Sequence, residues 1–286
     1  MTASPWVSVA QGRAEFALPL LCDSPHSGTR YPEDFDHNLP LTDLRSSEDT
    51  HVERLWGHAP QVGAALLAAH FPRTYIDANR TLADLDADML GEPWQAPLPP
   101  SRKTELGIGL IWRQVRADAP IYARKLSAWE VQQRIDHCWQ PYHAALQTLA
   151  AHTLARWGHY WHLNLHSMPH NAYQRLGIDS PTPLADFVLG DLHGKSCSAE
   201  FTRFVKSALE AHGFRVAVND PYEGQELVRL MGEPCAGRHS LQIEINRSLY
   251  MDERTREPSA HFDDVRLSLS SVLEEIARYV RRSTVA

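Results

Sequence analysis

Cysteine is scarce in this 286-residue chain, and the spacing of the few cysteines excludes the usual cysteine-based sites. Cys22, Cys138, Cys197 and Cys235 are widely separated, and no two of them form a Cys-x-x-Cys pair. A disulfide framework needs many cysteines in a short secreted chain, and a cysteine zinc site needs closely spaced pairs. The sequence therefore indicates reduced thiols, and we expect a cytoplasmic protein.

Long apolar runs and excess positive charge are missing as well. The longest apolar runs, such as residues 62–69, are far too short to span a bilayer, and residues 1–6 lack the features of a signal peptide. The formal net charge is -7, and no block of Lys or Arg stands out. We therefore expect no nucleic-acid partner and no membrane partner. The sequence does not specify an oligomeric state.

Two common catalytic motifs are absent, and so are internal repeats. No Gly-x-Ser-x-Gly elbow and no P-loop occur in the chain. Hydrophobic residues make up 43% of the chain and charged residues 22%, which is ordinary for a globular protein. Because no break in composition divides the chain, we predict a single domain over residues 1–286.

The pattern of apolar residues alternates between strand and helix. Buried strands are predicted at 18–22, 73–77, 160–165, 186–189, 214–218 and 240–246. Helices are predicted at 49–70, 127–157, 198–212, 222–231 and 262–282. Such alternation predicts an α/β sandwich around a mixed, mainly parallel sheet. A long irregular stretch rich in Pro, Gly, Leu and Asp, from about 81 to 123, is expected to be an active-site insertion that covers the substrate.

Two histidines follow or end apolar strands in a similar way. His26 lies just after residues 18–22, and His166 ends the segment that begins at Tyr160. Ligands of open α/β sheets gather outside the carboxyl ends of the strands, so both imidazoles are candidate zinc ligands. The alternative for each is a loop histidine that binds backbone groups. Catalytic zinc usually has three protein ligands and keeps a fourth position for water, so a carboxylate is also expected.

The carboxylate ligand is sought among two adjacent acids at the start of the helix predicted at 49–70. Glu48 and Asp49 both qualify, and the residues alone do not choose between them. The alternative is that Asp49 or Ser47 only caps that helix. His51 is a third imidazole nearby, but a histidine at a helix start is more typical of a surface or supporting group.

Glu244 lies among apolar neighbours in the strand predicted at 240–246. A carboxylate in a buried strand is costly to ionise unless a cation, hydrogen bonds or a metal compensate it. The functional interpretation is a general base for the attacking water. The alternative is a structural ion pair with an arginine such as Arg247.

Four further residues are candidate substrate contacts. Asn79 and Arg80 come directly after the strand predicted at 73–77, and Arg forms bidentate pairs with carboxylates. Together they suit a small anionic substrate. The alternative for Arg80 is an internal salt bridge to Asp77 or Asp84. Arg113 and Arg229 are weaker candidates of the same kind.

Six short motifs, in this order along the chain, resemble the N-formylglutamate amidohydrolase family. They are SPHSG at 24–28, DTHV at 49–52, YIDANR at 75–80, LHSM at 165–168, GD with GKSC at 190–197, and QIE at 242–244. That family is similar in fold to the zinc carboxypeptidases and aspartoacylases, so the resemblance implies a three-layer α/β/α sandwich. The carboxypeptidase His-x-x-Glu ligand pair is not met, since Thr29 stands three residues after His26.

The resemblance implies a function and a set of roles. Its reaction is hydrolysis of N-formyl-L-glutamate to formate and L-glutamate, late in histidine degradation. It implies that His26, Asp49 and His166 hold one divalent ion, Zn2+, and that Glu244 is the catalytic base. It also implies that Asn79 and Arg80 bind a substrate carboxylate. In the resulting hypothesis one of Arg80 and Arg113 stabilises the developing oxyanion and the other arginines bind carboxylates. We assign the oxyanion to Arg113 and place Arg229 among the substrate-binding residues.

Two other functions stay open on the sequence. One is a zinc peptidase or another N-acyl amino acid amidase, with the same site and a different specificity pocket. The other is a non-catalytic ligand-binding relative. The presence of both histidines, Glu244 and Arg80 argues against a non-catalytic relative. A site that has lost its function usually also loses the buried polar and charged side chains that are costly to stability.

Overall fold

The computed structural model of the protein describes residues 4–285, without the side chain of Val285. The predicted absence of a signal peptide concerns residues 1–6, of which the first three lie outside the described residues. The strands are β1 Val7–Gln11, β2 Leu20–Ser24, β3 Ala65–Ala69, β4 Gln114–Arg116, β5 Ala119–Pro120, β6 Tyr160–Met168, β7 Phe187–Gly190, β8 Val216–Val218 and β9 Arg238–Asn246.

Helices occupy much of the remaining chain. They are α1 Leu41–Arg45, α2 Val52–Leu55, α3 Arg102–Glu105, α4 Ala128–Arg134, α5 Gln140–Trp157, α6 Ala172–Leu176, α7 Ala199–Ala211, α8 Glu226–Met231 and α9 Phe262–Val285. A π-helical turn, Ile135–Trp139, connects α4 to α5. In the described part of the chain, no helix is long and apolar enough to cross a membrane.

Seven strands form one mixed sheet in the order β1-β3-β2-β6-β9-β7-β8, and β4 and β5 form a separate pair. Strand β6 is parallel to both β2 and β9, β7 is parallel to β8, and β7 runs antiparallel to β9. Helices cover both faces of the sheet. The structure thus confirms the predicted α/β/α sandwich with a mixed sheet.

The two faces of the central strands differ in chemistry. In β6, Trp161, Leu163 and Leu165 belong to a hydrophobic cluster, together with apolar residues of α2, α7 and α9. The residues between them, His162 and Asn164, alternate to the opposite face because side chains of a strand have a period of two. All of these side chains are buried. The sheet therefore has an apolar face and a face that carries buried polar groups.

The chain divides into two compact units. One comprises the described part of Met1–Ser8, with Pro25–Thr50 and Ala68–Leu146. The other comprises Val9–Ser24, His51–Leu67 and the described part of Gln147–Ala286. The single domain expected from the sequence stays a prediction.

Helix signals carried by local side chains are confirmed. Ser127 caps α4 in a capping box with Glu130, and Ser198 caps α7 through a hydrogen bond from the Phe201 amide. Gly158 ends α5 with a φ of +76°, a conformation that favours glycine.

Three predicted elements differ from the structure. Residues 49–70 are not one helix, because α2 ends at Leu55 and a separate helical turn at Ala59–Val62, with Pro60 near its start, ends at Gly63 with a φ of +96°. The last part forms the fully buried strand β3. Residues 73–77 are a turn rather than a strand. The helix predicted at 222–231 begins only at Glu226. The stretch 81–123 is mostly irregular, as expected, with short turns, α3 and the β4–β5 pair.

Candidate active site

His26 lies in a tight loop two residues beyond the end of β2. Its imidazole is 1% exposed, and its Nε2 lies 2.7 Å from Asp77 Oδ1. Its other nitrogen, Nδ1, lies 3.5 Å from Asp49 Oδ2. Gly28 allows the loop to pass close to the backbone, since a Cβ there would lie 2.1 Å from the Phe71 carbonyl oxygen. The loop therefore requires glycine at position 28.

Asp77 is the residue that orients His26. This fully buried carboxylate also accepts hydrogen bonds from Arg73, from Trp112 Nε1 at 3.1 Å and from the Asn79 amide at 2.8 Å. Burial alone would raise the pKa of Asp77, but the nearby cations Arg73 and Arg80, together with His26, hold it well below its usual range. The carboxylate therefore stays charged and accepts the Nε2 proton of His26, so that Nδ1 is the nitrogen presented to a metal.

The sequence did not identify this role of Asp77. From the sequence, Asp77 was considered only as a salt-bridge partner of Arg80. In the structure, Asp77 Oδ2 lies 3.8 Å from Arg80 Nη2. The pairing with His26 joins residues 51 positions apart in the chain, and no local pattern signals it.

The structure distinguishes Glu48 from Asp49, the two candidate carboxylate ligands between which the sequence did not choose. Glu48 is fully buried and accepts hydrogen bonds from Tyr31 at 2.7 Å, from Thr50 at 2.8 Å and from Arg45 at 3.3 Å. Asp49, instead, directs Oδ2 towards His26. Neither Asp49 nor Ser47 caps α2, whose N-cap position is His51. Glu48 is thus held by structural partners, and Asp49 is the acid beside the candidate ligand.

His166 lies within β6 rather than after its end, and its orientation is also set by a neighbour. Its Nε2 lies 2.8 Å from Asn164 Oδ1, and Asn164 Nδ2 donates to Asp23 Oδ1 at 2.7 Å. The same Asp23 oxygen lies 2.9 Å from His162 Nε2, and His162 Nδ1 lies 2.8 Å from Ser240 Oγ. The Nε2 of His166 is therefore engaged, which makes Nδ1 the candidate ligand nitrogen.

This buried network was not predicted from the sequence. His162 and Asn164 were not singled out, although their alternation with Trp161, Leu163 and Leu165 is the period-two signal of a strand with one polar face. Burying so many polar groups is tolerated because they satisfy one another.

Glu244 projects from β9 at the position paired with His166 on β6. It is 7% exposed, and Gln242 Nε2 donates to its Oε1 at 2.9 Å. Arg247, its alternative ion-pair partner, donates to Ser167 Oγ at 3.0 Å, and an ion pair between Arg247 and Glu244 stays a prediction. The carboxylate thus lies on the polar face of the sheet, beside the strand that carries His166.

Three of these side chains form a group of potential metal ligands. One ligand atom each from His26, Asp49 and His166 lies within 4.8 Å of the others, and all three residues are buried. Two imidazoles and one carboxylate are a donor set that catalytic zinc sites use. Each imidazole has its second nitrogen hydrogen-bonded, which is typical of histidines that ligate metals. The residues present therefore fit a zinc ion.

Arg80 is 4% exposed, and backbone carbonyl groups hold it in place. Its Nε donates to the Ile108 oxygen at 2.9 Å, and its Nη1 donates to the Asn79 oxygen at 2.8 Å. The Asn79 amide in turn donates to Asp77, which fixes the backbone at this position. The alternative for Arg80, a salt bridge to Asp77, is present as a 3.8 Å ion pair with Oδ2. Arg73 and Trp112 are closer donors to the same oxygen.

The two weaker arginine candidates both make ion pairs with acids. Arg113 Nη1 lies 3.0 Å from Asp86 Oδ2, and the Arg113 side chain is 37% exposed. Arg229 is 66% exposed, and its Nη1 lies 2.9 Å from Glu226 Oε2 one turn earlier in α8. A role in the reaction for either residue stays a prediction.

A mixed α/β/α sandwich with a buried group of potential metal ligands is consistent with a hydrolase. The sequence model of the family "N-formylglutamate amidohydrolase" matches residues 18–251. The chain therefore belongs to the N-formylglutamate amidohydrolase family, which makes it a hydrolase of the amidohydrolase type.

Individual relatives agree with this assignment. The N-formylglutamate deformylase of Pseudomonas aeruginosa is 30% identical over 91% of each chain, and that of Pseudomonas putida is 28% identical over 94% of this chain and 93% of its own. The crystal structure of N-formylglutamate amidohydrolase from Ralstonia eutropha JMP134 is 51% identical, with a TM-score of 0.95 over 97% of this chain and 99% of that one. A protein of Agrobacterium tumefaciens, gene product Atu2144, shares the fold at 17% identity, with a TM-score of 0.63 over 98% of this chain and 96% of that one.

Proposed function

We propose that this enzyme hydrolyses N-formyl-L-glutamate to formate and L-glutamate, with one bound zinc ion. The observation that carries the proposal is the buried group of His26, Asp49 and His166 in a chain of this family. The names of the two Pseudomonas relatives and of the Ralstonia protein support the substrate. In the reaction, water adds to the formyl carbon, the carbon–nitrogen bond breaks, and the amine leaves with a proton.

His26, Asp49 and His166 would hold the metal. When bound, zinc supplies Lewis-acid polarisation of the scissile carbonyl and makes water a stronger nucleophile near neutral pH. Asp77 and Asn164 keep the imidazoles of His26 and His166 in the required tautomer and orientation, because each engages the Nε2 atom.

Glu244 moves the proton in this proposal. Its carboxylate accepts a proton from the attacking water and then donates it to the leaving nitrogen. The hydrogen bond from Gln242 to Oε1 fixes the orientation of the carboxylate, and the position on β9 keeps it on a rigid element.

Asn79 and Arg80 would bind a carboxylate of the substrate. Arg80 suits this role because two backbone carbonyls hold its guanidinium in place before any ligand arrives. Arg113 would stabilise the oxyanion after leaving its pair with Asp86, and Arg229 would contact the substrate after leaving Glu226.

A substrate screen tests the proposed function. Purified enzyme, stripped with chelator and reloaded with zinc, is given N-formyl, N-acetyl and N-succinyl amino acids, and release of the free amino acid is measured. We expect N-formyl-L-glutamate to be the best substrate and activity to be lost without metal. Faster turnover of another acyl compound or of a peptide would assign the enzyme to the amidase or peptidase alternative. Absence of any turnover, with no metal retained, would favour the non-catalytic alternative.

Cellular context is part of the same proposal. Release of formate from N-formyl-L-glutamate would place the enzyme late in histidine degradation, in the cytoplasm. A deletion strain that grows normally on histidine as nitrogen source, and accumulates no N-formylglutamate, would contradict this placement.

A further inference from the structure

Lys103 is a cation that the described chain leaves without an ion pair. It lies on α3, whose position is set by Ser101 and Thr104 in a capping box. Its side chain is half-buried. Burial, followed by the neighbouring positive charge of Arg80, lowers the pKa of Lys103 to about 8. Such a lowered pKa is unusual for a lysine near the protein surface, because the ammonium group there is normally solvated or paired with an acid.

The backbone holds Lys103 and Arg80 in one substructure. The Ile108 amide donates to the Lys103 carbonyl at 2.9 Å, and the Ile108 carbonyl accepts from Arg80 Nε at 2.9 Å. The backbone amide and carbonyl of one residue, Ile108, therefore connect α3 to the guanidinium of Arg80.

The acids near these two cations are already engaged. Asp77 accepts hydrogen bonds from Arg73, Trp112 and the Asn79 amide, and it also pairs with His26. Asp84 accepts hydrogen bonds at Oδ2 from the amide and hydroxyl of Thr81, and at Oδ1 from the Ser101 hydroxyl at 2.9 Å. Arg80 keeps only a 3.8 Å ion pair with Asp77, and Lys103 adds a second positive charge to a region whose carboxylates have other donors. Such a pair lowers its mutual repulsion when an anion binds.

We propose that Lys103 and Arg80 form a two-cation site for a dicarboxylic acyl amino acid, in which Lys103 contacts the side-chain carboxylate of the substrate. This inference rests on the proposed function, in which Arg80 and Asn79 bind the other carboxylate. A second cation favours a substrate with two carboxylates, and Lys103 is the cation beside Arg80 for which the described residues supply no ion pair.

Substrate pairs that differ only in the side-chain charge test the proposal. The variants are Lys103→Met, which keeps the length of the side chain, Lys103→Arg, which keeps the charge, and Lys125→Met as the matched control at an exposed lysine of the same unit. For Lys103→Met we expect kcat/KM on N-formyl-L-glutamate to fall by about 10- to 100-fold, mainly through KM, with a much smaller change on N-formyl-L-glutamine. Lys103→Arg should recover most of the loss, and Lys125→Met should behave as wild type. Equal losses on both substrates, or none on either, would overturn the proposal.

A binding experiment separates this proposal from the proposed function. If wild-type enzyme does not hydrolyse N-formyl-L-glutamate, the proposed function fails, and calorimetry with glutarate and butyrate then decides the role of Lys103. We expect Lys103→Met to weaken glutarate binding by about 10-fold or more, and butyrate binding far less. Unchanged glutarate affinity would contradict the two-cation site.

Discussion

His166 and Glu244 occupy paired positions on the adjacent parallel strands β6 and β9. Backbones of adjacent strands lie about 4.8 Å apart, and side chains at paired positions project from the same face. The candidate base and one candidate metal ligand are therefore neighbours on a rigid sheet. This arrangement explains why a carboxylate is tolerated in a buried strand, since it lies on the polar face rather than in the hydrophobic cluster.

Replacing Glu244 by Gln tests the base. The amide keeps the shape of the side chain but cannot accept the proton of water, so we expect kcat to fall by about 100- to 10,000-fold. Zinc content, measured by atomic emission, should stay at the wild-type level. Glu257→Gln, at an exposed position, is the matched control. Near-normal turnover of Glu244→Gln would remove Glu244 from the mechanism.

The two adjacent acids are expected to respond differently to the same change. Asp49→Asn removes a proposed zinc ligand and should abolish tight zinc binding and activity. Glu48→Gln disturbs the hydrogen bonds from Tyr31, Thr50 and Arg45, so we expect a lower melting temperature with zinc affinity within about 3-fold of wild type. Zinc affinity comes from competition with a fluorescent chelator. Loss of zinc from Glu48→Gln alone would reverse the assignment.

Asp77→Asn should weaken zinc binding without removing a ligand. Loss of the partner that orients a metal-bound histidine typically lowers metal affinity by about 10- to 100-fold. The same change leaves the buried part of Arg73 without its charged partner, so a lower melting temperature is expected too. Asp84→Asn also breaks structural hydrogen bonds of a carboxylate, but at Thr81 and Ser101, and should leave zinc affinity unchanged. Equal zinc affinity in Asp77→Asn and wild type would show that Asp77 does not support His26.

The lowered pKa of Lys103 should make the stability of the metal-free, ligand-free protein depend on pH. Its pKa is lowered from 10.5 to about 8 in the folded state, mainly by burial. Between these two values the unfolded chain binds the extra proton, so this residue makes the free energy of unfolding rise with pH. Lys103→Met should therefore be more stable than wild type at pH 7, and the difference should shrink towards pH 10. The check is urea unfolding of both proteins across this range. A difference that stays constant with pH would contradict the shifted pKa.

Local chemistry made several features predictable. Ser127 and Ser198 cap helices because the hydroxyl group of each accepts a hydrogen bond from the amide three residues on, a local contact that the sequence predicts. The class of fold followed from strands that alternate with helices. The candidate ligands His26 and His166 were singled out because each accompanies a short apolar strand.

Other features depended on contacts between distant parts of the chain. Residues 65–69 have apolar spacing compatible with a helix, but burial on both faces within the sheet makes them β3. Glu48 and Asp49 have nearly the same chemistry, and only the positions of Tyr31, Thr50 and His26 distinguish them.

The sequence by itself determined which chemical groups this protein has and the strands and helices on which most of them lie. Tertiary structure decided which groups meet: Asp77 with His26, Asn164 with His166, and Glu244 beside His166 across the sheet. The physical reason is that strand periodicity and caps depend on neighbours in the chain. Strand register, by contrast, and the pairing of buried charges depend on packing between residues tens of positions apart.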